Sequence, residues 1–326
     1  MPSSEDSLLA YDKKAFFLRP FENISIDKMA ILFDVPKFKE NSPVSSCFWS
    51  AFKKVVENGT TKCLSETPLY RWGCEWNNTF IVHWGVKLNE HETVRLEFNP
   101  NHSRLIDLLP FLGCFSEMKI SNCRVSRMDV AVDYFRYINP NCWLVKNTPS
   151  SASFEYSGIC ETRYFGSSAS DVQIRFYNKM RELKAHGELS LPDCLLWRCE
   201  AQIKKIAGDS WFLENDKAVS GFNPFSRMEF YDPAGINTEG RGAYGLFVEA
   251  ARNKNIGFAC SFFNRDRHTR NKYLDLFKSE MRPPVFNLPA EVYKNCFGPV
   301  YSGFVKTIKD ICKLAHQGNS DSAFAV

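Results

Sequence analysis

At 326 residues, 44% of them hydrophobic and 14% aromatic, the chain can bury one large core or two smaller ones and is too apolar to stay disordered. Its formal charge of +4 neither demands nor excludes a polyanionic partner. Twelve cysteines lie scattered with no CxxC pair, no apolar run approaches membrane-spanning length, and the opening residues carry no leader, so reduced thiols in a soluble, cytoplasmic protein are expected.

Residues 1–25 read as a flexible lead-in. Residues 28–35 alternate as a first strand stopped by Pro36, and 46–57 form an amphipathic helix closed by Asn58-Gly59. A meander follows: strand 70–76, a turn at Asn77-Asn78, strand 80–88, a turn at Asn89-Glu90 and strand 93–98, a spacing that argues for antiparallel pairing. Residues 103–109 read as a helix running into Pro110, residues 120–135 as a long strand, and the Asn-, Pro-, Ser- and Thr-rich stretch 139–153 as a loop.

Strands 162–165 and 172–177 then pair around 166–171, whose small residues suit a tight hairpin or a loop that approaches phosphate. A helix over 179–187 and a strand over 195–204 follow. Beyond Tyr244 the apolar period lengthens, and 244–253, 267–281 and 301–315 read as helices. The fold class is therefore α+β: a largely antiparallel β-sheet with helices packed on one face, spanning 26–235, followed by a mainly helical C-terminal region over 236–326.

Four of the strands share a grammar in which an arginine is followed two residues later by an acid or a tyrosine: Arg95/Glu97, Arg127/Asp129, Arg175/Tyr177 and Arg198/Glu200. Strand side chains alternate, so one face enters the core and the other carries these groups. Guanidinium groups, carboxylates and a phenol on one face are what cutting a phosphodiester through a tyrosine needs; cross-strand ion pairs on a solvated sheet would give the same pattern. Arg175, Tyr177 and Lys179 share the polar face of their strand, and a phenol between two cations ionises more readily, which suits Tyr177 to attack phosphorus. Phosphate chemistry also calls for a hard divalent cation held by carboxylates. Asp129 and Asp133 share a face but stand about 13 Å apart, so one of them with Glu200 or Glu97 is expected, Asp129 and Glu200 first. The six histidines form no zinc motif, and neither GxxxxGK[ST] nor GxSxG occurs. Arg265, Arg267, His268, Arg270 and Lys272 cluster as a grip for phosphate backbone or a solvated helix start. Trp72, Trp76, Trp84, Tyr134 and Tyr164 suit either base stacking or core filling.

The ordered set Ser126-Arg127-Met128-Asp129-Val130-Ala131-Val132-Asp133, then Tyr164-Phe165-Gly166-Ser167 to Ser170-Asp171, then Ile174-Arg175-Phe176-Tyr177-Asn178-Lys179 with Glu182, then Trp197-Arg198-Cys199-Glu200 resembles the rolling-circle replication initiators of the staphylococcal-plasmid, Rep-trans type, which include conjugative-element relaxases. A second similarity, through Arg198-Cys199-Glu200-Ala201-Gln202-Ile203-Lys204 and Glu97-Phe98-Asn99-Pro100, is to the replication proteins of filamentous phages. The resemblance implies a nickase that attacks one strand at an origin, forms a 5′-phosphotyrosine intermediate and uses Mg2+ or Mn2+, with residues 26–235 as the nicking domain and 236–326 as an accessory or DNA-recognition region. By motif position Tyr177 would be the nucleophile, with Tyr164 the alternative; Arg175 and Lys179 would assist it, Asp129, Asp133 and Glu200 would hold the metal, and Arg127, Arg198, Tyr164 and Ser167 would touch DNA. The implied partners are origin DNA, single-stranded or supercoiled, a host helicase and a second copy of the chain, with no membrane. The other readings are a non-catalytic DNA-binding replication-control protein, a relaxase of a mobile element, or a viral structural protein with a decorated sheet and no affinity for nucleic acid.

Overall fold

Apolar side chains at every second position build the sheet. The computed structural model describes residues 22–37, 43–87, 92–115, 123–148, 151–187, 195–204 and 211–322; the expected turn at Asn89-Glu90 and the lead-in up to residue 21 lie outside the described residues. Its main strands are β1 (Glu22–Val35), β2 (Thr60–Leu64), β3 (Tyr70–Trp76), β4 (Phe80–Val86), β5 (Glu92–Phe98) and β6 (Arg124–Tyr134). After β7 (Trp143–Val145) come β8 (Ser151–Tyr156), β9 (Ile159–Phe165), β10 (Val172–Asn178), β11 (Trp197–Ile203) and β12 (Met228–Phe230). Ten of them form one antiparallel sheet in the order β2-β3-β4-β5-β1-β6-β11-β10-β9-β8, while β7 and β12 pair separately.

One face of this sheet is the core. Met29, Ile31, Leu96, Val130, Val132, Phe176 and Cys199 point into it, each at most 1% exposed, and each large apolar side chain removed from water in this way contributes about 1.5–3 kcal/mol. The face is covered by α1 (Pro43–Gly59), α2 (Leu109–Gly113), α4 (Asp216–Gly221) and the long α8 (Pro289–Ser322), which supply Phe52, Phe111, Val219, Tyr293 and Tyr301. Helix α8 rests on β1 and β6, so the end of the expected accessory region belongs to the sheet's own core. Helices α5 (Gly242–Asn253), α6 (Ile256–Ser261) and α7 (Arg267–Glu280) gather a second, smaller core around Phe247 and Phe277. A further helix, α3 (Lys179–Ala185), follows β10 directly. The α+β class with helices on one sheet face is as expected.

Several boundaries differ from the sequence reading for identifiable reasons. Strand β1 starts at Glu22, inside the expected lead-in, because Ile24 and Ile26 continue the buried alternation. Residues 151–153, expected as the end of the loop, open the edge strand β8, which is exposed throughout and so lacks the apolar signal of a half-buried strand. Pro110 does not stop a helix but sits in the first turn of α2, where its missing N–H costs nothing, after a short 3-10 turn at Leu105–Leu108. The turn at Asn77-Asn78 is as read: both residues have positive φ, 50° and 59°, in a three-residue connection, 77–79, between the paired Trp76 and Phe80.

Candidate active site on the polar sheet face

The opposite face of the sheet centre carries the charged residues, and the register fixes who meets whom. Arg175 on β10 stands across from Glu200 on β11 and from Tyr164 on β9. Tyr177 stands across from Arg198, and Arg198 in turn from Asp133 on β6. Strand β1 adds Asp27 and Lys28: a register shift between Ile26 and Lys28 places an extra residue in the strand, so two successive polar residues separate Ile26 from Met29. Asp27, Lys28, Asn99, Arg127, Asp129, Tyr164, Gln173, Arg175, Glu200 and Gln202 line a cleft of about 200 Å³. Its charged lining is three carboxylates and three cations.

At the cleft floor the Arg175 guanidinium donates to both Oε1 and Oε2 of Glu200, at 2.8 Å each, and the Tyr177 hydroxyl donates to Oε2 at 3.1 Å. Arg175 also lies over the Tyr177 ring, 4.7 Å from its centroid. Burial pushes the Glu200 carboxyl above the ordinary glutamate range, and Arg175 opposes this without cancelling it. Tyr177 is 5% exposed. Burial likewise pushes its phenol far above the ordinary range, with Arg198 and Arg175 opposing and Glu200 adding to the rise. The expected easy ionisation between two cations is thus corrected: desolvation outweighs the neighbouring charges, and the phenolic proton is committed to Glu200.

A second cluster lies deeper. Arg198 donates from Nε and Nη2 to the two oxygens of Asp133, at 2.6 and 2.9 Å, and from Nη1 to Asp27 Oδ1 at 2.9 Å. Arg198 is 5% and Asp133 1% exposed. Burial would raise the Asp27 carboxyl, but Arg198, Lys179 and Arg175 together hold it below its ordinary value. Arg198, expected to touch DNA, and Asp133, expected near a metal, do not line the cleft: each guanidinium nitrogen of Arg198 donates to a carboxylate, and Asp133 gives both oxygens to Arg198. Its separation from Asp129 along the strand is the cause: the cleft takes only one of the two.

At the other end of the cleft, Arg127 is forked onto Asp129, with Nε and Nη2 at 2.9 and 2.7 Å from the carboxylate oxygens. Glu97, weighed as an alternative carboxylate, is held by Lys28 at 2.9 Å and by Arg95; burial would raise it, but the two cations keep it below its ordinary value. Lys179 is not on the strand with Arg175 and Tyr177. It opens α3, pairs with Glu182 at 2.5 Å and stands 5.9 Å above the Tyr177 ring. Ser167 lies outside the cleft lining, its amide donating to the Ser170 hydroxyl at 3.1 Å, so the 166–171 segment closes on itself as a hairpin. Trp76 and Tyr134 are core residues, whereas Tyr164 faces the cleft.

Sequence reasoning missed Asp27, Lys28, Gln173 and Gln202. Asp27 had a readable signal, since Ile24-x-Ile26-x-x-Met29 breaks the period of two where a bulge stands. The two glutamines carry no charge pattern to flag them.

The expected magnesium or manganese ion does not fit the donor set as disposed. Asp129 and Glu200 each accept from an arginine on both oxygens, Asp27 accepts from Arg198, and among the described residues no three His, Cys, Asp or Glu side chains form a group suited to hold a metal.

A sheet protein with an arginine–carboxylate–tyrosine cleft on its open face is the class that fold and site define. No protein-family model matches the chain. It is similar to replication initiation proteins of Staphylococcus aureus: 27% identical to one over 195 residues, 58% of this chain and 56% of the relative, and 26% identical to another over 202 residues, 60% and 61% of the two. A third is 30% identical over 127 residues, 37% of this chain and 39% of the relative. The chain thus matches about 40–60% of the length of these relatives. A solved rolling-circle replication initiator protein from Geobacillus stearothermophilus is 15% identical with a TM-score of 0.39, over 73% of this chain and 99% of that one, a likeness too distant to place residues. The chain is a relative of replication initiators, as its motifs suggested. No helix among the described residues is long and apolar enough to cross a membrane.

Proposed function

We propose that this chain initiates rolling-circle replication by nicking one strand of its origin with Tyr177. The observation that carries the reading is the Tyr177 hydroxyl donating to Glu200 at 3.1 Å while Arg175 holds the same carboxylate from both oxygens. A nucleophile bonded to a base that a third group orients is the arrangement of activated nucleophiles. The Tyr177 oxygen bonds to the scissile phosphorus, the bond from phosphorus to the 3′ oxygen breaks, and the phenolic proton passes to Glu200. The leaving 3′ oxygen takes a proton from solvent. The 5′-phosphotyrosine ester resembles the bond it replaces, so a DNA hydroxyl can later displace the enzyme, and no nucleotide cofactor is consumed. Arg127, Lys28 and Arg175 line the cleft where phosphates would enter. No step is routed through a metal ion. A host helicase to unwind past the nick and a second copy of the chain complete the expected partners.

A second reading, a DNA-binding replication-control protein without chemistry, is favoured by the burial of Tyr177 and by the pairing of each cleft carboxylate with an arginine. Within the first reading, Tyr164 competes as nucleophile because it lines the cleft and Tyr177 does not. One experiment separates all three. Single-stranded origin DNA is mixed with the chain, with Tyr177→Phe and with Tyr164→Phe, in manganese and in chelator, and run on a denaturing gel. A covalent adduct lost only in Tyr177→Phe is expected. Loss only in Tyr164→Phe moves the nucleophile to β9, and no adduct from any form leaves the DNA-binding protein.

A further inference from the structure

The cleft does not end the polar face. On the side of β9, the ladder continues Glu200, Arg175, Tyr164 and Ala152 in one row and Arg198, Tyr177, Thr162 and Phe154 in the next, so Phe154 on β8 lies on the same face as the cleft. Its ring meets Tyr164 edge-on, centroids 5.7 Å apart at 79°. Phe154 is 61% exposed, and so is Tyr156, two residues on. Over the Tyr156 ring lies the Arg181 guanidinium, 3.6 Å from the centroid.

Strand β8 is the edge of the sheet and is exposed along its whole length. An edge strand is usually guarded by charges because exposed apolar edges aggregate; here two rings stand where a lysine would be the ordinary choice. These rings fill no core, since neither belongs to either hydrophobic cluster. What sets them apart from a protein-docking patch is their setting: Phe154 continues a cleft lined by Arg175, Arg127 and Lys28, and an arginine already lies over Tyr156 on the same strand. Rings next to cations, in line with a phosphate-sized cleft, match the alternation of bases and phosphates in an unpaired strand.

We propose that the β8–β9 hairpin is a stacking platform for single-stranded DNA, on which bases flanking the cleft lie against Phe154 and Tyr164 while their phosphates run along the cleft arginines. This rests on the nicking site proposed above for its position and not for its chemistry. The platform recognises bases by their π-faces and so favours unpaired DNA over duplex without reading sequence.

The test is the equilibrium affinity of the Tyr177→Phe chain, which cannot trap DNA covalently through that residue, for a fluorescent oligo(dT), with and without Phe154→Ala or Phe154→Trp added. Phe154→Ala is expected to bind about fivefold or more weakly, and Phe154→Trp to bind as the parent does. An oligomer of abasic nucleotides keeps the phosphates and lacks the bases, so on it all forms should bind alike. Equal oligo(dT) binding by the alanine and parent forms overturns the platform, as does an equal loss on the abasic strand. Circular dichroism of the exposed-site variants controls for folding. If the wild-type chain forms an adduct with origin DNA while Phe154→Ala leaves affinity unchanged, the platform fails and the nicking site stands; weakened binding without any adduct gives the reverse.

Discussion

The Tyr177 hydroxyl and the Glu200 carboxylate share one proton at 3.1 Å on neighbouring strands, the phenol as donor and the carboxylate as acceptor. Both are buried, so neither ionises freely, and the phenolate forms only if its proton leaves in step with attack on phosphorus. Replacing Glu200 by Gln keeps the shape and removes the proton acceptor. The expected result is a fall in single-turnover nicking of about 10²–10⁴-fold, the usual contribution of a general base, with oligonucleotide affinity retained. Unchanged nicking in Glu200→Gln would release Glu200 from this role.

The same pair sets a pH dependence. Burial raises the Glu200 pKa above its ordinary value of 4.5. Nicking should therefore rise with pH through an apparent pKa above that value, as Glu200 ionises and becomes able to accept the proton. Glu200→Gln should lack this acidic limb. The effect on stability runs the other way: between the unfolded and the raised folded pKa the native chain holds a proton the unfolded chain has lost, so this group's contribution falls as pH rises through that window. A profile with no limb above the ordinary carboxylate range removes the argument.

A local prediction concerns the turn between β3 and β4. Asn77 and Asn78 both have positive φ, 50° and 59°, which a side chain occupies at a cost and glycine does not. Asn78→Gly should stabilise the chain by about 1 kcal/mol, and Asn78→Val should destabilise it by at least as much, both read from urea denaturation midpoints.

The sheet's centre was legible because β6, β11 and β10 point one face into the core and carry charged residues on the other, so period two is strong in each. Edge strand β8 was not, because it is exposed along its length and its first residues, 151–153, read as the end of a loop. At the site, the sequence pointed to Tyr177, Arg175, Glu200, Asp129 and Arg127, all of which the register gathers near one cleft. It did not reveal that Arg198 and Asp133 are buried against each other, since alternation places a side chain on a face without saying whether that face is wet. Here the bulge at Asp27 brings its carboxylate onto Arg198, which already pairs with Asp133, and only the register across β1, β6 and β11 reveals it. It also misjudged the ionisation of Tyr177, because neighbouring charge is visible in a sequence and desolvation is not.

The buried cluster of Arg198 with Asp133 and Asp27 gives the largest expected stability effect. Arg198 joins β11 to β6 and β1 through three hydrogen bonds of 2.6–2.9 Å, and Asp133 is 1% exposed. Removing the cation in Arg198→Ala strands two carboxylates in a dry environment, and breaking a buried pair from one side typically costs about 3–5 kcal/mol. Replacing the pair together, Arg198→Met with Asp133→Leu, removes the stranded charge at Asp133 as well and should recover much of that loss. Asp27 adds a pH signature. Its pKa is held below the ordinary 3.8, so its contribution is present above that value and is lost as pH falls through the lowered one. Thermal denaturation of the single and double variants near neutral pH reads the coupling: a double variant as unstable as the sum of its single changes would mean that Arg198 and Asp133 do not act as a pair.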